Sequence, residues 1–398
     1  MNKRIIAALL GAGALAVTTV TAGVQGADAA SPHLTHLSGL HAQRVCATPA
    51  AGHAACMSKV LVNSKGAIPQ ATKPLSTALS PAQVRAAYGL NGTSGAGRTV
   101  AIVDAYGYPN LERDLTIYRN YYGMPACTTA NHCLTIIDQN GGTSLPRTDV
   151  GWSQEQALDV DAVSATCPDC KILVVQAKSS SFANLGTAVN TAARTPGVVA
   201  ISNSYGGGDA PDTTYGKYYN HPGIAVTAST GDNGYQGGSY PASSSYVTAV
   251  GGTTLQMNGT TRVGETVWSG AGSGCSTYNT AVAGSSTFGT GCAKRAMADV
   301  SAAADPNTGG LSVYAPTSTR SSTWSQYGGT SESSPIIASV YALAGGGYSN
   351  TTPYAHPGSL NDIISGSNGS CPTSQWCNAR AGWDGPTGLG TPNGTGAF

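Results

Sequence analysis

Charge is scarce in this 398-residue sequence: only 10% of residues are Asp, Glu, Lys or Arg, and the formal net charge is +1. No basic stripe and no aromatic RNA-reading motif stands out, which excludes nucleic acid as a partner class. With so few cations, little is left to repel itself once carboxylates protonate, so the composition tolerates acid. Long apolar runs are missing beyond the N-terminus, which excludes a later membrane span. Histidine is thin as well, with 7 in all. Glycine is plentiful, at 53 residues, as in a loop-rich exported protein.

The N-terminus is specific. MNKR is a positive start, IIAALLGAGALAVTTVTAG an apolar stretch, and Ala27-Asp28-Ala29 a small-residue cleavage signal. Residues 1–29 therefore read as a signal peptide, and the mature chain as a secreted, extracellular protein with no membrane attachment. Export makes the 10 cysteines disulfide candidates. They fall into neighbouring couples: Cys46 and Cys56, Cys127 and Cys133, Cys167 and Cys170, Cys275 and Cys292, Cys371 and Cys377. The simplest connectivity bonds each couple. Cys167-Pro168-Asp169-Cys170 also has the spacing of a redox motif or half a metal site, though no thioredoxin-like pattern surrounds it.

Residues 30–76 show little periodicity and read as a short irregular pro-segment or N-terminal extension. A turn and short helix at 74–90 open the main domain, 77–398. Strands are expected at 98–106, 134–138, 171–177, 198–205, 223–230 and 246–252, with helices from 109 to about 121, over 153–166 with Ser153 as cap, and over 181–194. Strands alternating with helices define an α/β protein, its mainly parallel sheet covered by helices on both faces. Functional loops are then expected beyond the carboxyl ends of the strands.

GGTSESSPIIA (328–338) offers Ser331 as a nucleophile at a helix start. Such a serine needs a base. Where a serine hydrolase on this kind of sheet uses histidine, an Asp ends the first strand, a His follows and the Ser comes last. Asp104 suits the first place, but no histidine suits the second. His33, His36, His41 and His53 precede the domain, His132 is wedged beside Cys133, His221 precedes a proline, and His356 follows the serine in a polar loop. Asp104 is then a structural strand-end carboxylate. A G-x-S-x-G elbow with a late histidine, the mark of an esterase on this sheet, is also lacking. Carboxylates are the remaining acceptors. Glu155 and Asp159, four apart in WSQEQALDVD, share one helix face at about 6 Å between Cβ atoms. By themselves they read as a solvated surface pair. Asp232, in Gly-Asp-Asn-Gly after an apolar strand, reads by itself as a tight turn.

Taken together, Glu155-x-x-x-Asp159, Ser229-Thr230-Gly231-Asp232-Asn233-Gly234 and Gly329-Thr330-Ser331 with Pro335 resemble the sedolisin family of serine-carboxyl peptidases. PASSSYVTAVGGTTL (241–255), ETVWSG (265–270), DVSAAADPNTG (299–309) and AGWDGPTGLGTPNG (381–394) extend the likeness over most of 77–398. The resemblance implies a subtilisin-like fold and an endopeptidase acting on polypeptides through an acyl-enzyme on Ser331. Glu155 would be the general base, Asp159 its orienting partner, and Asp232 in protonated form the side-chain donor to the oxyanion, with a backbone N–H near Ser331 as second donor. Carboxylic acids have pKa values near 4 and Asp232 must hold its proton, so activity is expected at roughly pH 3–5.

The resemblance also implies that Ser202, Tyr205 and Gly206 line the substrate. It implies one structural Ca²⁺ held by the Asp362 and Asp384 side chains and the carbonyls of Ile363, Arg380 and Gly382. Three features depart from the family. Only the short 30–76 segment precedes the domain, where the family has a large folded prodomain that blocks the cleft. Glu332 follows the nucleophile where small residues are usual, and Cys275 interrupts the glycine-rich run at 270–276. A monomer is expected. The competing reading is a non-catalytic secreted module that binds peptides or proteins on a peptidase scaffold.

Overall fold

The computed structural model describes residues 39–345 and 348–398. The expected signal peptide, and His33 and His36, lie outside them. Residues 40–63 are not irregular. They form β1 (Leu40–Arg44), β2 (Ala55–Cys56) and β3 (Lys59–Asn63) within the same compact unit as the rest. Their pairing partners are remote, which is why periodicity did not reveal them: Val60 in β3 lies opposite Tyr327 in the strand Ser322–Gly328.

The chain then runs through α1 (Pro81–Ala87), β4 (Thr99–Ala105), α2 (Leu111–Tyr121), β5 (Leu134–Asp138), α3 (Val150–Thr166), β6 (Lys171–Ala177), α4 (Phe182–Arg194) and β7 (Val198–Asn203). After β8 (Tyr205–Gly208) come β9 (Ala225–Ser229), β10 (Ser239–Tyr240), β11 (Thr248–Asn258) and β12 (Thr261–Val267). The central sheet has the order β12-β11-β9-β7-β4-β6-β5, parallel throughout except for the antiparallel β12 edge.

Alternation along each strand divides the core. Val100 and Ile102 of β4 join Ile172 and Val174 of β6 on one face, beneath α3 and the helix Thr330–Ala344. Ala101 and Val103 join Leu173 and Val175 on the other, beneath α4. Burying both faces is what turns these strands into continuous apolar runs. The expected α/β class with helices on both faces is therefore observed. All five neighbouring cysteine couples are bonded.

Candidate active site

The centre of the site is α3. The helix starts a turn earlier than its sequence suggests, with Asp149 as cap: its Oδ1 accepts from the Trp152 N–H at 3.1 Å. Ser153, the expected cap, instead donates from Oγ to the Asp149 carbonyl at 2.7 Å. From Trp152 to Thr166 every residue is buried. Glu155 and Asp159 are thus not a solvated pair; each is 0% exposed. Asp159 Oδ1 accepts from Ser204 Oγ at 2.7 Å, while its Oδ2 and both Glu155 oxygens have no partner among the described residues.

Asp104, at the carboxyl end of β4, is buried beside them with both oxygens unpartnered. Burial pushes all three carboxyls well above the usual carboxylate range. The Asp104 charge adds to the shift of Glu155 and of Asp159, and Glu155 adds further to Asp159. The Ser331 and Ser58 hydroxyls stand close enough to Glu155 to oppose its shift, although neither closes a well-formed hydrogen bond. Three acids with no cation among them cannot all be ionised, so the cluster takes up and releases protons as a set.

Ser331 is the second residue of the helix Thr330–Ala344. Gly329 caps that helix at φ 106°, in the left-handed region, and a Cβ there would strike both the Met57 carbonyl oxygen and Asp232 Oδ2. Ser331 donates from its backbone N–H to the Met57 carbonyl at 3.0 Å and from Oγ to the Ser204 carbonyl at 3.2 Å. Asp232 arrives from the loop after β9. Its Oδ1 accepts from Thr330 N at 2.8 Å and Thr330 Oγ1 at 3.0 Å, leaving Oδ2 unpartnered. Burial pushes Asp232 up to about 6, against the opposing charge of Lys59 and the Thr330 hydrogen bonds. Lys59 Nζ donates to the Asp232 backbone carbonyl at 2.6 Å.

Four expected residues thus meet: Ser331, Glu155, Asp159 and Asp232. Asp104, set aside in sequence as structural, joins them, as do Ser204 and Met57, which carried no chemical signal. The one clue to Asp104 was an acid closing an otherwise apolar strand. Glu332 turns away: its Oε2 accepts from the Leu311 N–H at 3.3 Å beneath the strand Leu311–Pro316.

The substrate-lining expectation is corrected in part. Ser202 does not reach the cleft; its Oγ is buried against Ser334 Oγ at 2.9 Å, because alternation along β7 turns it toward the helix Thr330–Ala344. The Tyr205 ring points into the core, its hydroxyl donating to Asn203 Oδ1 at 2.7 Å, and only its backbone faces the cleft. Gly206 lines a cavity of about 580 Å³ with Met57, Gly207, Thr230, Gly272 and Ser273. The last two come from the glycine-rich run that the Cys275–Cys292 bond pins.

Asp362 and Asp384 lie together near the C-terminus. Gly382 N donates to Asp362 Oδ2 at 2.8 Å, and Arg380 N to Asp384 Oδ2 at 3.3 Å. Asp384 is fully buried, and burial, with a further push from Asp362, raises it to about 7. Among the described residues no hydrogen bond reaches the Ile363, Arg380 or Gly382 carbonyls. Two close carboxyls without a cation and three free carbonyls are an all-oxygen donor set that fits a hard divalent ion.

Fold and site together define a subtilisin-like α/β protein whose serine is flanked by acids. The subtilase family model matches residues 140–383. Kumamolisin of Bacillus sp. (strain MN-32) is 30% identical over 360 residues, covering 80% of this chain and 62% of its own. Sedolisin of Pseudomonas sp. (strain 101) is 27% identical over 343 residues, covering 74% of this chain and 56% of its own. The solved structure of Pseudomonas sedolisin (serine-carboxyl proteinase), complexed with two molecules of pseudo-iodotyrostatin, is similar in fold at TM-score 0.67 and 24% identity, covering 80% of this chain and 96% of that one. The chain belongs to the subtilase family of serine peptidases, within its sedolisin branch. It spans about three-fifths of the length of the two curated relatives.

Proposed function

We propose that the protein is a secreted, acid-active serine-carboxyl endopeptidase that cuts polypeptides. The observation that carries this reading is the buried set Glu155, Asp159 and Asp104 beside Ser331, with no described histidine hydrogen-bonded to that serine. Glu155 takes the proton of Ser331 Oγ as it attacks the scissile carbonyl and later returns it to the leaving amine. Asp159, held by Ser204, keeps the Glu155 carboxyl oriented and shares its proton. The oxyanion meets the Ser331 backbone N–H and the free Oδ2 of Asp232, which donates only when protonated. Because Asp232 loses its proton near pH 6, activity falls as pH rises through that value.

The test is digestion of a denatured protein from pH 3 to 8 by the wild type, Ser331→Ala and Glu155→Gln. We expect cleavage in acid by the wild type, and losses on the order of 10²-fold or more for Glu155→Gln. Identical, null digestion by wild type and Ser331→Ala would sink the enzyme reading and leave the binding module in its place.

The Asp362 and Asp384 carboxylates, with the Ile363, Arg380 and Gly382 carbonyls, would hold Ca²⁺. The ion would supply the positive charge that the two acids lack and tie the C-terminal segment to the domain. Chelation should lower the thermal midpoint and added Ca²⁺ should restore it, the ion contributing about 3 kcal/mol of stability at a hundredfold excess over the dissociation constant. A midpoint indifferent to chelator and Ca²⁺ alike would refute the site.

A further inference from the structure

The candidate cleft already holds a peptide, and the peptide is the chain's own. β2 lies antiparallel along β8, with Ala55 opposite Gly206 and Cys56 opposite Tyr205. Next in line, the Met57 N–H donates to the Ser204 carbonyl at 3.1 Å, and the Met57 carbonyl accepts from the Ser331 N–H at 3.0 Å. That same carbonyl crowds Gly329 together with Asp232 Oδ2. The Met57 side chain lines the glycine-walled cavity, its terminal methyl packed beside Gly206. An extended strand adding to a sheet edge, with one carbonyl on the nucleophile's N–H, is the arrangement of a bound acyl donor. The bond presented is Met57–Ser58.

The far side of that bond is tied down. The Ser58 carbonyl accepts from the Val45 N–H at 3.2 Å, and Lys59 Nζ is bonded to the Asp232 carbonyl while lying 5.1 Å from the Trp268 ring centre. β3 is then flanked by β1 on one side and the strand Ser322–Gly328 on the other. On the near side, the Cys46–Cys56 bond braces the loop at the residue before Met57.

We propose that residues 54–59 form a substrate-mimicking inhibitor in cis, whose Met57–Ser58 bond sits at the nucleophile without being consumed. The proposal rests on the peptidase reading. Attack of Ser331 Oγ on the Met57 carbonyl carbon would break the C–N bond, pass the serine proton through Glu155 to the Ser58 nitrogen, and leave a Met57 ester on Ser331. Net hydrolysis needs water where the Ser58 amine stands. Because Ser58 and Lys59 are anchored, the amine stays and attacks the ester, which restores the peptide bond and returns the proton to Ser331. The cleft therefore stays closed to other peptides until the strap is displaced.

Met57→Lys tests this by placing a second cation in the cavity that Arg44 also lines. In a Ser331→Ala background, a labelled hexapeptide copying residues 54–59, with Ala for Cys56, should bind at least about tenfold tighter when Met57→Lys is added, as for a site freed from an occupant present most of the time. With Ser331 intact, Met57→Lys should digest denatured protein faster than the wild type by a similar factor. N-terminal sequencing and intact mass should find the wild-type Met57–Ser58 bond whole after incubation at pH 4. This last measurement needs no variant and stands even if Met57→Lys misfolds. Equal peptide binding with and without Met57→Lys, or rapid complete cutting at Met57–Ser58 with loss of the arm, overturns the strap. Tighter binding with no digestion by any form would keep the strap and remove the peptidase reading.

Discussion

At the scale of single residues, the largest revision concerns Asp104. In sequence it is one acid at a strand end, and strand ends commonly carry acids. In the fold it is buried with both oxygens unpartnered, and its charge raises Glu155 and Asp159. It touches no substrate position, so it is a positioning residue that acts through Glu155. Asp104→Asn removes that charge at nearly constant volume. The pKa of Glu155 should then fall, because one of the two causes that raise it most is gone. In a pH profile of kcat/KM, the acid limb should move to lower pH, with the alkaline limb set by Asp232 left in place. An unmoved acid limb would mean Asp104 only fills space. Glu332, odd in the sequence, is explained at this scale too: it accepts the Leu311 N–H and leaves the nucleophile alone.

At the scale of elements, α3 positions the acids of the site. A helix buried on all sides has no polar face, so its apolar periodicity is weak and its start was misplaced by a turn. Capping chemistry fixes the start instead. Asp149→Ala removes the acceptor for Trp152 N and should cost about 1 kcal/mol of stability, read from denaturant midpoints at pH 4. A loss well under that figure would show that burial alone holds the first turn. The parallel strands β4 and β6 were legible because each carries an unbroken apolar run closed by a polar residue, Val100–Val103 before Asp104 and Ile172–Val175 before Gln176. β1 and β3 were not, since a short apolar run such as KVLVN gains meaning only from a partner far along the chain. The site followed the same division. Ser331, Glu155, Asp159 and Asp232 were legible as a set through a family resemblance, whereas the residues that complete the cleft, Met57 in the link between β2 and β3 and Lys59 at the start of β3, come from a segment that local pattern could not reveal.

At the scale of the whole molecule, the buried acids set how stability depends on pH. Asp104, Glu155, Asp159, Asp161 and Glu332 are all held well above the carboxylate range, burial being the first cause in each case. The buried cations among the described residues are engaged elsewhere: Arg295 pairs with Asp299, and Arg119 donates to the Pro125 and Pro168 carbonyls and Ser164. A carboxyl whose folded pKa is raised favours the fold while protonated. Its contribution is complete below the unfolded pKa and is lost as pH rises through the folded one. For Asp232 that window runs from 3.8 to about 6, worth roughly 3 kcal/mol across it. The other five act in the same direction. The thermal midpoint should therefore fall steadily as pH is raised from 4 to 7, at fixed ionic strength and saturating Ca²⁺ so that the C-terminal carboxylates do not contribute. Ser331→Ala should give the same slope and exclude self-digestion as its cause. A midpoint that instead climbed toward neutrality would mean that these acids are ionised and paired in the folded protein, and the protonated Asp232 donor would fail with them.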